Sequence, residues 1–361
     1  MRVCFLSQVA AMCLSALLFT SGCTSLHVPA WPWTGGATAK ETLYAKAESG
    51  DPVSQYMLGF SLLHGDGLPG NSIEGLAWLS KSGEGGYLKA QVLLGQFYLK
   101  GMSDVPRDEA LAKKWLEKAA RQNHVVAQAL LGALCLSKES QVYDPETGVV
   151  WFKRAAEQGD VDTQLTLGLM YHKGVVVAQN DAESVRWYAK AAEAGNRDGQ
   201  TNLGIAYYRG KGVEQSSAEA RMWFERAIAQ DGASAMSNLG VMVGRGEGFP
   251  KDEEKAVEWF RKAAERGDSD GQSNLGAAYY RGVGVTQDHD AALKWFKAAA
   301  EQGHAMAQFR LGFMYASGHG VPADPKEAEK WMRKAAEQGN PLAVKWLAGK
   351  AGKQGEKSAA Q

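Results

Sequence analysis

Cysteine is scarce in this 361-residue chain, which has four, at positions 4, 13, 23 and 135. That is too few for the disulfide framework that holds small secreted domains together. Net charge is absent as well, with 40 Lys and Arg against 40 Asp and Glu. Without a basic excess there is no field to gather phosphate backbones, which excludes sequence-independent nucleic-acid binding as the main activity. After residue 22 no apolar run is long enough to span a bilayer. The seven histidines, 27, 64, 124, 172, 289, 304 and 319, show neither i, i+4 pairing nor an HExxH motif, so their spacing supports no metal cluster. The Gly-x-Gly segments lack the Gly-Lys-Ser/Thr that completes a phosphate loop. These absences predict a chain without cofactor, metal or catalytic residue.

The N-terminal residues follow a different pattern from the rest. Arg2 precedes an apolar stretch from Val3 to Phe19, broken only by Ser7, Gln8 and Ser15, and then come Thr20, Ser21, Gly22 and Cys23. A charged start, an apolar run and small residues are the layout of a secretory signal, predicting a removed leader over residues 1–22 that takes Cys4 and Cys13 with it. Residues 23–40 contain Pro29, Pro32, Gly35 and Gly36 and no helical period, so they read as a flexible tether. Extended at ~3.3 Å per residue, that tether would reach about 55 Å. Trp31 and Trp33 within it suit either a membrane interface or packing on the first helix.

From about residue 41 to 350 the chain repeats itself. Tryptophans recur at 78, 115, 151, 187, 223, 259, 295 and 331, and Leu-Gly pairs keep step at 58, 94, 131, 167, 203, 239, 275 and 311. The interval is 36 residues apart from a single 37. Each period reads as two helices. In the first, a small residue stands four before the Leu and an aromatic often four after it, which is one helical face. Glycine after the Leu costs helix propensity of about 1 kcal/mol relative to Ala. Its recurrence predicts that the backbone of the paired helix approaches closely. In the second helix, small residues three before and four after each Trp predict a ring interlocked with its neighbours. Eight residues past each Trp comes Gly, Asn or Asp, the types that end a helix in the left-handed conformation. Most connecting loops carry Gly-x-Gly followed by one apolar plug, such as Val213 or Val285. The third period departs with Lys138, Glu139 and Ser140 in place of Gly-x-Gly, and the sixth with Met236 in a column that is otherwise Gln.

Stretches such as Ala307-Gln308-Phe309-Arg310-Leu311-Gly312-Phe313-Met314-Tyr315 and Ala328-Glu329-Lys330-Trp331-Met332-Arg333-Lys334-Ala335-Ala336 resemble the Sel1-like repeat, a longer relative of the tetratricopeptide repeat. The resemblance implies an all-α fold: a right-handed α-solenoid of eight 36-residue helix pairs. A degenerate helix over 41–49 and a lone helix from Pro341 would cap its ends, and a polar tail over 351–361 would be disordered. Thr20-Ser21-Gly22-Cys23 resembles the lipobox of bacterial lipoproteins, although Thr20 stands where that motif has Leu. The likeness implies acylation of Cys23, the alternative being an ordinary cleaved signal with an incidental cysteine. Thr24, where Asp would favour the inner membrane, implies an outer-membrane lipoprotein facing the periplasm.

A residue that recurs in every repeat is explained by the repeat, so chemistry should show as a break. Cys135 is alone but occupies a core column and reads as a small hydrophobe. Glu157, Glu193, Glu265, Glu301 and Glu337 share one helical position and read as a solvated stripe. Cysteine-rich Sel1-like proteins are linked to β-lactams, but their paired cysteines are missing here. What remains is surface. Asn202, Asn238 and Asn274 precede Leu-Gly, Arg209, Arg245 and Arg281 lie at the following loop, and Tyr208 and Tyr280 stand between. Stacked at one repeat spacing, these groups predict a partner-binding ladder of the Arg and Tyr composition found at interface hot spots. Similar Sel1-like lipoproteins serve as scaffolds of envelope assemblies, and others as immunity proteins that neutralise toxic effectors such as phospholipases. The expectation is a non-enzymatic, lipid-anchored binder of a partner protein in the bacterial envelope, with both roles open.

Overall fold

A computed structural model describes residues 37–65, 68–101 and 105–359. The leader, Cys23, Thr24, Trp31 and Trp33 lie outside these residues. Among the described residues there are 18 helices and no strand. In chain order they are α1 (Ala37–Glu48), α2 (Pro52–His64), α3 (Ser72–Glu84), α4 (Leu88–Lys100), α5 (Glu109–Arg121), α6 (Val125–Leu136), α7 (Pro145–Glu157), α8 (Val161–Lys173) and α9 (Asp181–Glu193). Then follow α10 (Arg197–Arg209), α11 (Ser217–Ile228), α12 (Ala233–Arg245), α13 (Glu253–Glu265), α14 (Ser269–Arg281), α15 (His289–Glu301), α16 (Ala305–Ser317), α17 (Pro325–Glu337) and α18 (Pro341–Ala359). The chain divides into two compact units, Met1–Lys190 and Ala191–Gln361.

Helix boundaries follow from capping chemistry. Side chains of Asp51, Asn71, Asp108, Asp144, Asp160, Asn196, Ser216, Asp252, Asp268, Asp288 and Asp324 each accept an amide of the first turn that they precede. The residues eight past each Trp all have positive φ, from 58° at Asp231 to 94° at Gly159, as their types predict. Two boundaries differ from expectation: α1 begins inside the segment read as tether, and α18 continues to Ala359 through the residues read as a disordered tail. Ala37 to Lys40 and the Ala, Lys and Gln residues after 350 are permissive of helix, and the absence of a hydrophobic period does not stop one.

In the first unit the Leu of every Leu-Gly pair is buried, and the largest cluster joins Leu131, Leu134, Phe152, Leu167 and Trp187. The second unit repeats the arrangement around Phe224, Leu275, Phe296 and Trp331. The end helices act as caps. Leu43 and Ala47 of α1 pack on Leu58 and Leu62, and Ala343 of α18 packs on Met332 and Ala335.

The glycine of the Leu-Gly pair is needed for a different reason than expected. In most repeats a Cβ there would first strike the side chain following the Trp: Leu116 against Gly95, Phe224 against Gly204, Phe260 against Gly240 and Phe296 against Gly276, at 2.6–2.7 Å. Backbone is met first only at Gly59 (Gly75 O, 2.7 Å) and Gly312 (Ala328 O, 3.1 Å). The hole is filled by a large apolar residue, so the glycine column and the residue after Trp are complementary. In the last three loops the second glycine of Gly-x-Gly lets the repeat lie on the start of the preceding second helix: a Cβ on Gly248 would stand 2.9 Å from Ser217 Cβ, and one on Gly320 2.7 Å from His289 Cβ. The apolar plug behaves as expected, with Phe249, Val285 and Val321 packed on the core. The third loop, lacking Gly-x-Gly, is fastened instead by Glu109, whose carboxylate accepts from Ser140 Oγ and the Gln141 amide at 2.8 Å each.

Neighbouring repeats are latched by the Gln column. Gln55, Gln91, Gln128 and Gln164 in the first unit, and Gln200, Gln272 and Gln308 in the second, each donate Nε2 to a carbonyl eight residues earlier at 2.8–3.3 Å. All seven are buried, where an unpaired amide would cost about 1–3 kcal/mol. Five of them also accept at Oε1 from a Gln some 30 residues on, as with Gln302 to Gln272 at 2.8 Å. Met236 cannot do this, and in its repeat Arg266 pairs with Asp231 at 3.1 Å.

Candidate functional site

The first helix α12 contacts both α10 and α14, so the outward residues of the three form a continuous face in the second unit. Asn202, Asn238 and Asn274 are half-buried on it. Asn238 Nδ2 donates to the Ser234 carbonyl of its own helix at 2.8 Å, whereas Asn274 Nδ2 reaches Ser237 Oγ of the preceding repeat at 3.4 Å. At the ends of these helices Tyr208 and Tyr280 are half-buried, and Arg209, Arg245 and Arg281 are exposed.

The arginines share a register but not an environment. Arg245 Nη1 donates to Tyr208 Oη at 3.1 Å, bridging two repeats, and stands 3.9 Å from Glu247. Burial, then Glu247, raises the Tyr208 phenol, so it stays a neutral hydrogen-bonding group. The charge of Arg209 adds to the His304 hydrogen bond that holds Asp270 low. Arg281 makes no ion pair among the described residues, and its charge bears on another cation, Arg310.

Arg310 was not among the expected site residues. It occupies the column that Asn202, Asn238 and Asn274 fill in earlier repeats, while Ser317 takes the Arg column. Its Nη1 donates to both the carbonyl and Oγ of Ser273 at 3.0 Å, and its guanidinium lies 5.5 Å from the Phe296 ring. Burial, and then the charge of Arg281, draws Arg310 down to about 10, which leaves it charged at neutral pH. Two adjoining cavities share Ala277, Arg281 and Arg310. One, of about 220 Å³, reaches Phe260, Asn274 and Glu253; the other, of about 370 Å³, is walled by Tyr280, Met306, Phe309, Phe313 and Leu342.

Other residues singled out in the sequence fall elsewhere. Cys135 is fully buried in the first unit's core, and burial pushes its thiol up to about 11, so it remains protonated. The Glu157, Glu193, Glu265, Glu301 and Glu337 stripe is exposed throughout. His289 and His319, distant in sequence, stack at 5.5 Å, and Tyr280 Oη lies 2.7 Å from His319 Nδ1. Among the described residues no group of three or more His, Cys, Asp or Glu is placed to hold a metal, and no helix is long and apolar enough to cross a membrane. A Lys or Arg also recurs three residues after Trp, a column outside the expected site residues. In seven repeats it lies 3.9–5.0 Å over the ring, from Lys81 on Trp78 to Lys334 on Trp331.

The Sel1 repeat model matches residues 52–87, 88–124, 125–160, 162–196, 197–232, 233–268, 269–304 and 305–340. Among solved structures, a Sel1 repeat protein from Oxalobacter formigenes is 36% identical over 87% of this chain and 90% of its own, with a TM-score of 0.71. The protective antigen c5321 of uropathogenic Escherichia coli, which displays an SLR fold, is 30% identical over 94% of this chain and 77% of its own, with a TM-score of 0.61. Among curated proteins no match is found. Sel1 repeat proteins generally mediate protein–protein interaction. With the helix pairs, the buried Leu columns and eight matches in succession, the chain belongs to the Sel1 repeat family.

Proposed function

We propose that the chain is a non-enzymatic scaffold, anchored by lipid on Cys23 to the periplasmic side of the outer membrane, that binds a partner protein through the first-helix face of residues 191–359. The observation that carries the binding reading is the face of α10, α12 and α14, where the side chains of Tyr208, Arg209, Arg245, Tyr280 and Arg281 stand together on adjoining helices. Large planar side chains on a rigid platform lose little entropy on binding, which is why Tyr and Arg dominate interface energetics. The tether and acyl chains would hold that face away from the membrane while keeping it at the surface, since two or more chains give stable attachment where one does not.

Photo-crosslinking tests the reading. A photoreactive residue replacing Arg245 is expected to capture one partner in intact cells, while the same residue replacing Lys297, exposed on the second helix α15, captures none. Equal capture from both positions would refute the assignment of the face. Cys23→Ser is expected to move the protein from the membrane fraction to the soluble one, and unchanged fractionation would refute the anchor. A captured partner that kills cells lacking this chain would make the role immunity rather than scaffolding.

A further inference from the structure

Arg281 and Arg310 set two like charges side by side, with Glu253 of the smaller cavity outside ion-pair distance of either. Both line both cavities, and among the described residues neither forms an ion pair. Arg310 is held in place by Ser273 and backed by Phe296, so its position is fixed before any ligand arrives. On one side of the pair the larger cavity presents apolar walls that are open to solvent, with Phe313 42% and Leu342 48% exposed. An occupant that satisfies both features must bring a carboxylate to the guanidiniums and a large apolar group to the cavity.

We propose that this groove of α14, α16 and α18 binds a peptide segment of the partner protein in which an internal Asp or Glu stands beside an aromatic or large aliphatic residue. The proposal rests on the partner-binding reading and names its recognition chemistry. The carboxylate is internal because the arginines stand between two cavities, so that the peptide continues into each. Held between two guanidiniums, it gains charge-assisted hydrogen bonds and removes their mutual repulsion. The apolar neighbour covers Phe313 and Leu342, which supplies a hydrophobic gain that a free anion cannot.

The test selects short random peptides with blocked termini on the whole folded protein, in parallel with Arg281→Gln and with the pair Phe313→Ser and Leu342→Ser. Arg281, Phe313 and Leu342 are exposed, so these variants are expected to fold, which circular dichroism verifies. The wild type is expected to enrich Asp or Glu next to an aromatic or aliphatic residue. Arg281→Gln should bind a selected peptide about 10–100-fold more weakly, from the loss of charged hydrogen bonds. Changing the peptide's acid to its amide should cost the wild type a similar factor and cost Arg281→Gln little. Enrichment without an acidic preference, an acidic preference kept by Arg281→Gln, competition only by peptides with a free C-terminus, or no enrichment would each overturn the proposal. A partner still crosslinked through position 245 in that case would leave the broader binding reading standing.

Discussion

Replacing the glycine of the Leu-Gly pair with alanine separates helix propensity from packing, and two repeats give opposite expectations. In α14 a Cβ on Gly276 would stand 2.7, 2.9 and 3.2 Å from Cδ1, Cε1 and Cγ of Phe296. That ring is 2% exposed, and it is held between the core and the Arg310 guanidinium 5.5 Å away. In α16 a Cβ on Gly312 would meet Ala328 O at 3.1 Å and the flexible Met332 side chain at 3.2 and 3.3 Å. Alanine gains about 1 kcal/mol over glycine within a helix, and overpacking a rigid core costs about 1–3 kcal/mol. With the propensity gain set against the overpacking cost, Gly276→Ala is therefore expected to destabilise by up to about 2 kcal/mol, and Gly312→Ala to lie within about 0.5 kcal/mol of wild type. Because repeat arrays unfold as coupled neighbours rather than always as one unit, native-state amide exchange is the suitable assay. Faster exchange should appear in α14 and α15 for Gly276→Ala, with α16 and α17 unchanged for Gly312→Ala. Combining Gly276→Ala with Phe296→Ala should cost less than the sum of the two single changes, since the ring that the new Cβ strikes is then gone. Equal effects at both glycines, or no coupling to Phe296, would refute the packing argument.

Gln272→Met removes a buried amide that donates to Ala264 and accepts from Gln302, and is expected to cost about 1–2 kcal/mol in a urea titration. Asp51, Asp144 and Asp324 have carboxyls held below their usual range by hydrogen bonds from Ser54, Thr147 and Glu327. Their folded values lie below the unfolded ones, so the caps are fully stabilising above the ordinary carboxylate range and lose that contribution as pH falls through the folded values. The denaturation midpoint should fall on acidification, and less steeply when all three are Asn. Cys135 should resist thiol reagents at pH 8 in the native protein and react once denatured, because burial keeps it protonated.

Much of the fold was legible because every repeat solves the same packing problem with the same residues. Leu58 to Leu311, the small residues flanking Trp and the left-handed helix ends recur often enough to declare their roles. The partner of the Leu-Gly glycine was misread, since the residue after Trp varies among Leu, Phe, Tyr and Met and carries no fixed identity to match. The Gln column was visible, but its second partner some 30 residues away belongs to contacts between repeats that a helical period does not encode. In the candidate site the Arg register was readable, whereas the differing environments were not, because Tyr208, Asp270 and Arg310 reach the arginines through the fold. Arg310 had a signal available: it is where Arg leaves the loop column and enters the Asn column.

The central claim is that partner binding uses the first-helix face of residues 191–359. Amide exchange of the purified protein, with and without the partner captured through position 245, tests it most directly. Protection is expected along α10, α12, α14 and α16, while α11, α13 and α15 exchange as in the free protein; protection of the second helices with the first left unchanged would contradict it.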